Sequence, residues 1–139
     1  MSRRTAREAS MKLVFQMAFN DDHVDEVGAE DILAQAKEEL NYNNYQYIET
    51  VVSRTESNLQ KIDEYIEKFS ENWKIDRLSK VDLSILRLAI SEILFFDDIP
   101  TRVSINEAVE LAKKFSTDKA SGYINGILDQ VANQLNKAR

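Results

Sequence analysis

One stretch of this chain limits the fold more than any other. From Leu78 to Leu94, the apolar residues Leu78, Val81, Ile85, Leu86, Leu88, Ala89, Ile90, Ile93 and Leu94 follow helical spacing and wrap most of a helix circumference. A helix that is apolar nearly all round must be covered on nearly all sides. The polar positions Lys80, Ser84, Arg87 and Ser91 step by four, three and four, which leaves one narrow strip expected to stay exposed. The surrounding chain must therefore supply helices to pack against this one.

Composition agrees. Three glycines and one proline in 139 residues are too few for the tight turns of a sandwich, a barrel or a doubly wound sheet. A hydrophobic fraction of 43% is that of a globular chain. The expected fold is all-α, one domain over residues 1–139, with about seven helices. No cysteine means no disulfide, thiolate metal site or cysteine nucleophile, and one histidine excludes an HExxH zinc site. The longest apolar run, Ile85 to Phe96, is too short and polar to span a bilayer, and no signal core follows the basic start. A cytoplasmic protein with no membrane contact is expected.

Local signals place the other helices. Ser2 caps a first helix to about Phe19, with Ala6, Ala9, Leu13 and Met17 as its apolar stripe. A second line, Arg4, Arg7, Met11 and Phe15, has two readings. The helix is buried on two sides, or the line is a surface seam whose basic end meets an anion and whose apolar end meets a protein. A helix over about 29–40 follows, then turn-like Asn41 to Asn44, then a long face broken near 55–58. Ser79 with Asp82 and Ser104 with Glu107 have capping-box spacing, with Val103 and Ala108 as a staple. Ser116-Thr117-Asp118 supplies caps for the last helix. Gly122 and Gly126 lie inside it, where close backbone approach is an expected reason for one of them. His23, among acidic neighbours in Asp21 to Gly28, reads as a solvated loop and not a metal site.

The net charge of −6 is uneven: the first twenty residues are basic, the stretch to about residue 76 strongly acidic, the rest nearly balanced. A polyanion would avoid the middle and approach either end. No GxGxxG, GxxxxGK[ST] or GxSxG occurs, and the carboxylates lie mostly on helix surfaces. A binding module with no cofactor and no metal is favoured over an enzyme.

Three blocks carry a resemblance. RRTAREASMKLVF, VDLSILRLAISEIL, and INEAVELAKKF followed by YINGILD resemble the NusB family of bacterial transcription antitermination factors, in order and spacing, from Arg3 to about Leu135. The resemblance implies two small helical bundles and no enzyme activity. It implies binding of single-stranded boxA RNA from rRNA operon transcripts together with the ribosomal protein NusE, in an antitermination complex with RNA polymerase. The family's basic start falls on Arg3, Arg4 and Arg7, its stacking aromatic on Tyr123, and the arginine of its LR motif on Arg87. Lys119 lies near RNA in the family. Lys113, in a last helical turn where it also complements the dipole, is counted with the RNA-facing cations. NusE-contacting positions fall on Phe15 and Asp82, with Met11 beside Phe15 on the seam. Gly122 replaces what is often a longer polar residue, and Lys119 stands where an acidic one can occur. Two alternatives remain: a stand-alone relative of the N-terminal module of rRNA cytosine methyltransferases, and a weak homodimer through the first-helix seam.

Overall fold

The structure, a computed structural model, describes residues 2–19, 30–34, 41–71 and 74–137. Its described residues form no strand. Six helices have defined bounds: α1 (Arg3–Met17), α2 (Tyr42–Ser57), α3 (Leu59–Phe69), α4 (Lys80–Phe95), α5 (Thr101–Phe115) and α6 (Asp118–Gln134). Residues 30–34 are helical as well, and Ile75–Arg77 form a short 3-10 turn. The loop carrying His23 lies outside the described residues, as does most of the helix expected over 29–40.

The expected caps hold at three helices. Ser2 accepts from the Thr5 amide, Ser79 from the Asp82 amide at 3.1 Å, and Thr117 from the Ala120 amide. Asn41, read as part of a turn, is instead the cap of α2 and accepts from the Asn44 amide at 2.9 Å. The second capping box is corrected. Helix α5 already begins at Thr101 after Pro100, which places Ser104 inside the helix and buries it.

Helix α4 is central and touches each of the other five. Helices α1 and α2 pack on one side of it, and α5, α6 and α3 on the other. The result is two small bundles sharing one helix. Ile85, Leu86, Ile90, Ile48, Ile105 and Leu128 are fully buried where these elements meet. Each such side chain stabilises the fold by about 1.5–3 kcal/mol relative to exposure.

The strip expected to remain exposed on α4 is covered except at its first position: Lys80 is exposed, whereas Ser84, Arg87 and Ser91 are all buried. Thr55 of α2 lies 2.6 Å from Ser91, hydroxyl to hydroxyl, so the polar break in the α2 pattern and a polar position on α4 satisfy each other. Among the described residues, no helix is long and apolar enough to cross a membrane.

Candidate nucleic-acid and partner interface

Helix α1 combines both readings of its second line. Arg4 is exposed, Arg7 and Met11 are buried at 4% and 5% exposure, and Phe15 is half-buried. The middle of the line faces inward because α1 lies between α2 and α4. The expected continuous seam is therefore interrupted.

Arg7 is the clearest correction. Its Nε and Nη2 donate to the two oxygens of Glu92 on α4, at 2.8 and 3.0 Å. Glu92 also accepts from the Tyr47 hydroxyl of α2 and from Ser104 Oγ of α5 at 2.9 Å. Burial pulls the Arg7 pKa down, but the hydrogen bonds and charge of Glu92 outweigh it and hold it above the ordinary value. Burial pushes the Tyr47 phenol well up, and Glu92 adds to this. One carboxylate thus ties four helices together, and Arg7 offers no free surface cation.

Arg87 is corrected in the same way. It is 3% exposed and forms a two-point pair with Asp63 of α3, at 2.9 and 2.8 Å. Its role is to bind α3 to α4. Asp82 is 4% exposed, so it does not present a partner-binding surface. Its carboxylate accepts from Ser116 Oγ at 2.6 Å and from the Tyr123 hydroxyl. This differs from a full capping box, in which that carboxylate would turn back to the Ser79 amide.

Tyr123 lies at the rim, half-buried against the core. Burial raises its phenol pKa, and the hydrogen bond to Asp82 raises it further. It lines a half-open pocket of mixed character with Phe69, Leu78, Lys119, Ile127 and Gln130. Lys119 is exposed beside it.

A second, shallower cleft lies on the other flank of α6. It is lined by Arg4 from α1, Glu107, Glu110 and Lys113 from α5, and Gly122 and Asn125 from α6, among others. Arg4 and Lys113 keep more than half of their side chains in solvent. Arg4 pairs with Glu107 at 3.0 Å and Lys113 with Glu110 at 3.7 Å. Exposed pairs of this kind are weak and exchange readily with other anions. Arg3 lies elsewhere: it donates to Asn44 Oδ1 at 2.9 Å and covers the Tyr47 ring at 4.4 Å. The close approach expected at one glycine is absent. A Cβ at Gly122 or Gly126 would meet nothing within 4 Å.

The structure thus brings together Arg4 and Lys113 in one cleft and Lys119 and Tyr123 in another, both on α6. It separates Arg3, Arg7 and Arg87 from them. It also shows an aromatic surface pair. Phe15 and Phe19 meet edge-on at 5.0 Å, Phe19 is 58% exposed, and Lys80 sits 5.1 Å from the Phe19 ring. Phe19 was legible as the residue four after Phe15, the spacing that stacks two side chains on one helix face.

The NusB family model matches residues 4–133. The chain belongs to the NusB family. It is thereby a transcription antitermination factor and not an enzyme. It is 49% identical over 131 residues to the transcription antitermination protein NusB of Acetivibrio thermocellus, covering 94% of this chain and 88% of that relative. Among solved structures, T. maritima NusB superposes with a TM-score of 0.84 at 37% identity, covering 96% of this chain and 92% of that one. A structure of the antitermination factors NusB and NusE in complex with dsRNA superposes with a TM-score of 0.81 at 25% identity, covering 95% of this chain and 96% of that one.

Proposed function

We propose that this chain binds the boxA element of rRNA operon transcripts as an unpaired strand, jointly with NusE, and supports read-through by RNA polymerase. The observation that carries the reading is the grouping around α6 of a rim aromatic and solvent-facing cations: Tyr123 beside Lys119 on one flank, and on the other Arg4 of α1 and Lys113 of α5, each in a weak exposed ion pair. Unpaired RNA is held by stacking on aromatic rings and by cations along its phosphates. The net charge of −6 limits adhesion to other polyanions, so a partner adds the remaining affinity. The similarity to a NusB–NusE–RNA complex supports both partners. Phe15, Phe19 and Lys80 are the surface assigned to NusE, as an aromatic anchor flanked by a cation.

A gel shift tests the reading. It uses boxA RNA and a scrambled control, each as a single strand and as a duplex, with and without NusE. The expected result is strongest retention of single-stranded boxA with NusE present. Equal retention of the scrambled strand removes the boxA assignment, and preference for the duplex removes the stacking mechanism. Size exclusion separates a heterodimer from a homodimer.

A further inference from the structure

The cleft on the α5 flank of α6 carries two cations and two carboxylates, and each cation is already paired. The Arg4–Glu107 pair is the better made. Arg4 Nε donates to Glu107 Oε2 at 3.0 Å, and Nη2 donates to Oε1 at 3.2 Å. One guanidinium fork thus meets both oxygens of one carboxylate, the same arrangement an arginine adopts on a phosphate. The two side chains are not equally free. Arg4 keeps 59% of its side chain in solvent and Glu107 keeps 19%. The carboxylate is the fixed partner in the wall of the cleft, and the guanidinium is the one that can swing away. The hydrogen bond and charge of Glu107, with a smaller push from Glu110, hold the Arg4 pKa above its ordinary value.

Holding α1 in place does not account for this pair. Arg7 already ties α1 to α4 through the buried Glu92. Lys114 of α5 also reaches Glu8 of α1 at 2.7 Å, so the two helices are joined a turn further along. An ion pair as exposed as Arg4–Glu107 adds little stability. What it changes is the charge of the cleft. Arg4 and Lys113 are cancelled by Glu107 and Glu110, and the other lining residues are neutral. The cleft therefore attracts a polyanion far less than its cations alone would.

We propose that Glu107 sets the RNA affinity of this cleft by occupying, on Arg4, the place that an RNA phosphate takes. An arriving phosphate must displace the carboxylate from the guanidinium fork and then lie beside it. Glu110 acts on Lys113 in the same way but more weakly, because both side chains are half in solvent and 3.7 Å apart. This rests on the RNA-binding reading above and deepens it. Arg4 and Lys113 supply phosphate contacts, and the two carboxylates determine how much those contacts add.

The test measures affinity for single-stranded boxA RNA and for a scrambled strand, with the full chain and NusE, from about 50 to 200 mM salt. Glu107→Gln keeps the shape of the side chain and removes its charge. It is expected to bind both strands roughly 2- to 5-fold more tightly at the low-salt end. Its log–log salt slope should be steeper by about 0.7, one further phosphate neutralised. Both strands gain because phosphate contacts carry no sequence. The melting temperature should stay within a few degrees of wild type. Glu8→Gln is the control: it makes the same charge change in a pair of the same exposure, 59% and 19%, outside the cleft. It should leave affinity and slope as they are. In an Arg4→Ala background the gain from Glu107→Gln should shrink, since the fork it frees is gone. The proposal is overturned if Glu107→Gln binds with wild-type affinity and slope, or if it melts much lower with affinity unchanged, which makes the pair a structural brace. It is also overturned if Glu8→Gln tightens binding as much, or if the gain is undiminished without Arg4, since either result is general charge repulsion. If Arg4→Ala, Lys113→Ala and Tyr123→Ala all bind normally, the RNA-binding reading falls with it. If those three weaken binding and Glu107→Gln changes nothing, only the role of Glu107 is lost.

Discussion

The Tyr123 hydroxyl donates to the buried carboxylate of Asp82, which joins the rim of α6 to the first turn of α4. Ser116, at the end of α5, donates to the same carboxylate at 2.6 Å. The ring is therefore held at one edge while part of its surface stays in solvent. Two substitutions separate the ring from its hydroxyl. Tyr123→Phe keeps the ring and should leave RNA affinity within about twofold while costing about 1 kcal/mol of stability. Tyr123→Ala removes the platform and should weaken RNA binding roughly 5- to 150-fold. NusE affinity should be unchanged in both. Fluorescence anisotropy and thermal melting on the two variants decide it. Normal RNA affinity in folded Tyr123→Ala would falsify the stacking role.

Arg7 and Glu92 form a buried pair that no surface role explains. Removing either leaves an uncompensated charge inside the fold, which typically costs about 3–5 kcal/mol. Arg7→Ala should therefore unfold at a much lower urea concentration than wild type. Its RNA affinity, measured on folded protein, should match wild type in level and in salt dependence. A variant of normal stability that has lost RNA affinity would return Arg7 to the RNA surface.

The helical architecture was legible because its signals are local. The apolar wrap of α4 demanded neighbours on every side, and Ser2, Ser79 and Thr117 announced three helix starts. The partners of buried charges were not legible. Arg7 and Glu92 are 85 positions apart, and Arg87 and Asp63 are 24 apart. Periodicity marks a face but does not say which charge another helix will bring to it. An arginine on a helix edge then reads as a surface cation whether it meets a phosphate or a buried carboxylate. Ser104 misled for a related reason. Its spacing to Glu107 fits a cap, yet Pro100 had already started the helix, which freed the Ser104 hydroxyl for Glu92.

Alkaline pH should destabilise the protein through Tyr47. Its phenol is raised well above the ordinary value of 10.0 by burial first and by Glu92 second. In the unfolded chain it titrates near 10 and in the fold much later, so between the two the unfolded state holds fewer protons. Stability is then fully present below about pH 10 and falls above it, with a slope of about 1.4 kcal/mol per pH unit for one group. Tyr123 shifts in the same direction but adds less, because solvent screens its half-exposed ring. Urea midpoints between about pH 8 and 11 should fall less steeply for Tyr47→Phe than for wild type. Parallel curves would show that Tyr47 is not the group responsible.

The two halves of the α1 line should respond to substitution in opposite ways. Met11 is 5% exposed, so Met11→Ala opens a cavity and should cost about 2–5 kcal/mol of stability. Phe19 is 58% exposed and rests edge-on against Phe15, so trimming it removes little core. Phe19→Ala should leave the melting temperature within a few degrees of wild type. If the Phe15–Phe19 pair with Lys80 is the NusE surface, the same change should cost about 2 kcal/mol of NusE affinity, near thirtyfold. Phe15→Ala should lose comparable affinity, with a larger stability cost because its ring is half-buried. Calorimetric titration of NusE into each variant reads the first quantity and thermal melting the second. RNA affinity measured without NusE should not move in Phe19→Ala, since Phe19 lines neither α6 pocket. A folded Phe19→Ala and a folded Phe15→Ala that both bind NusE as wild type does would place the partner surface elsewhere on the chain.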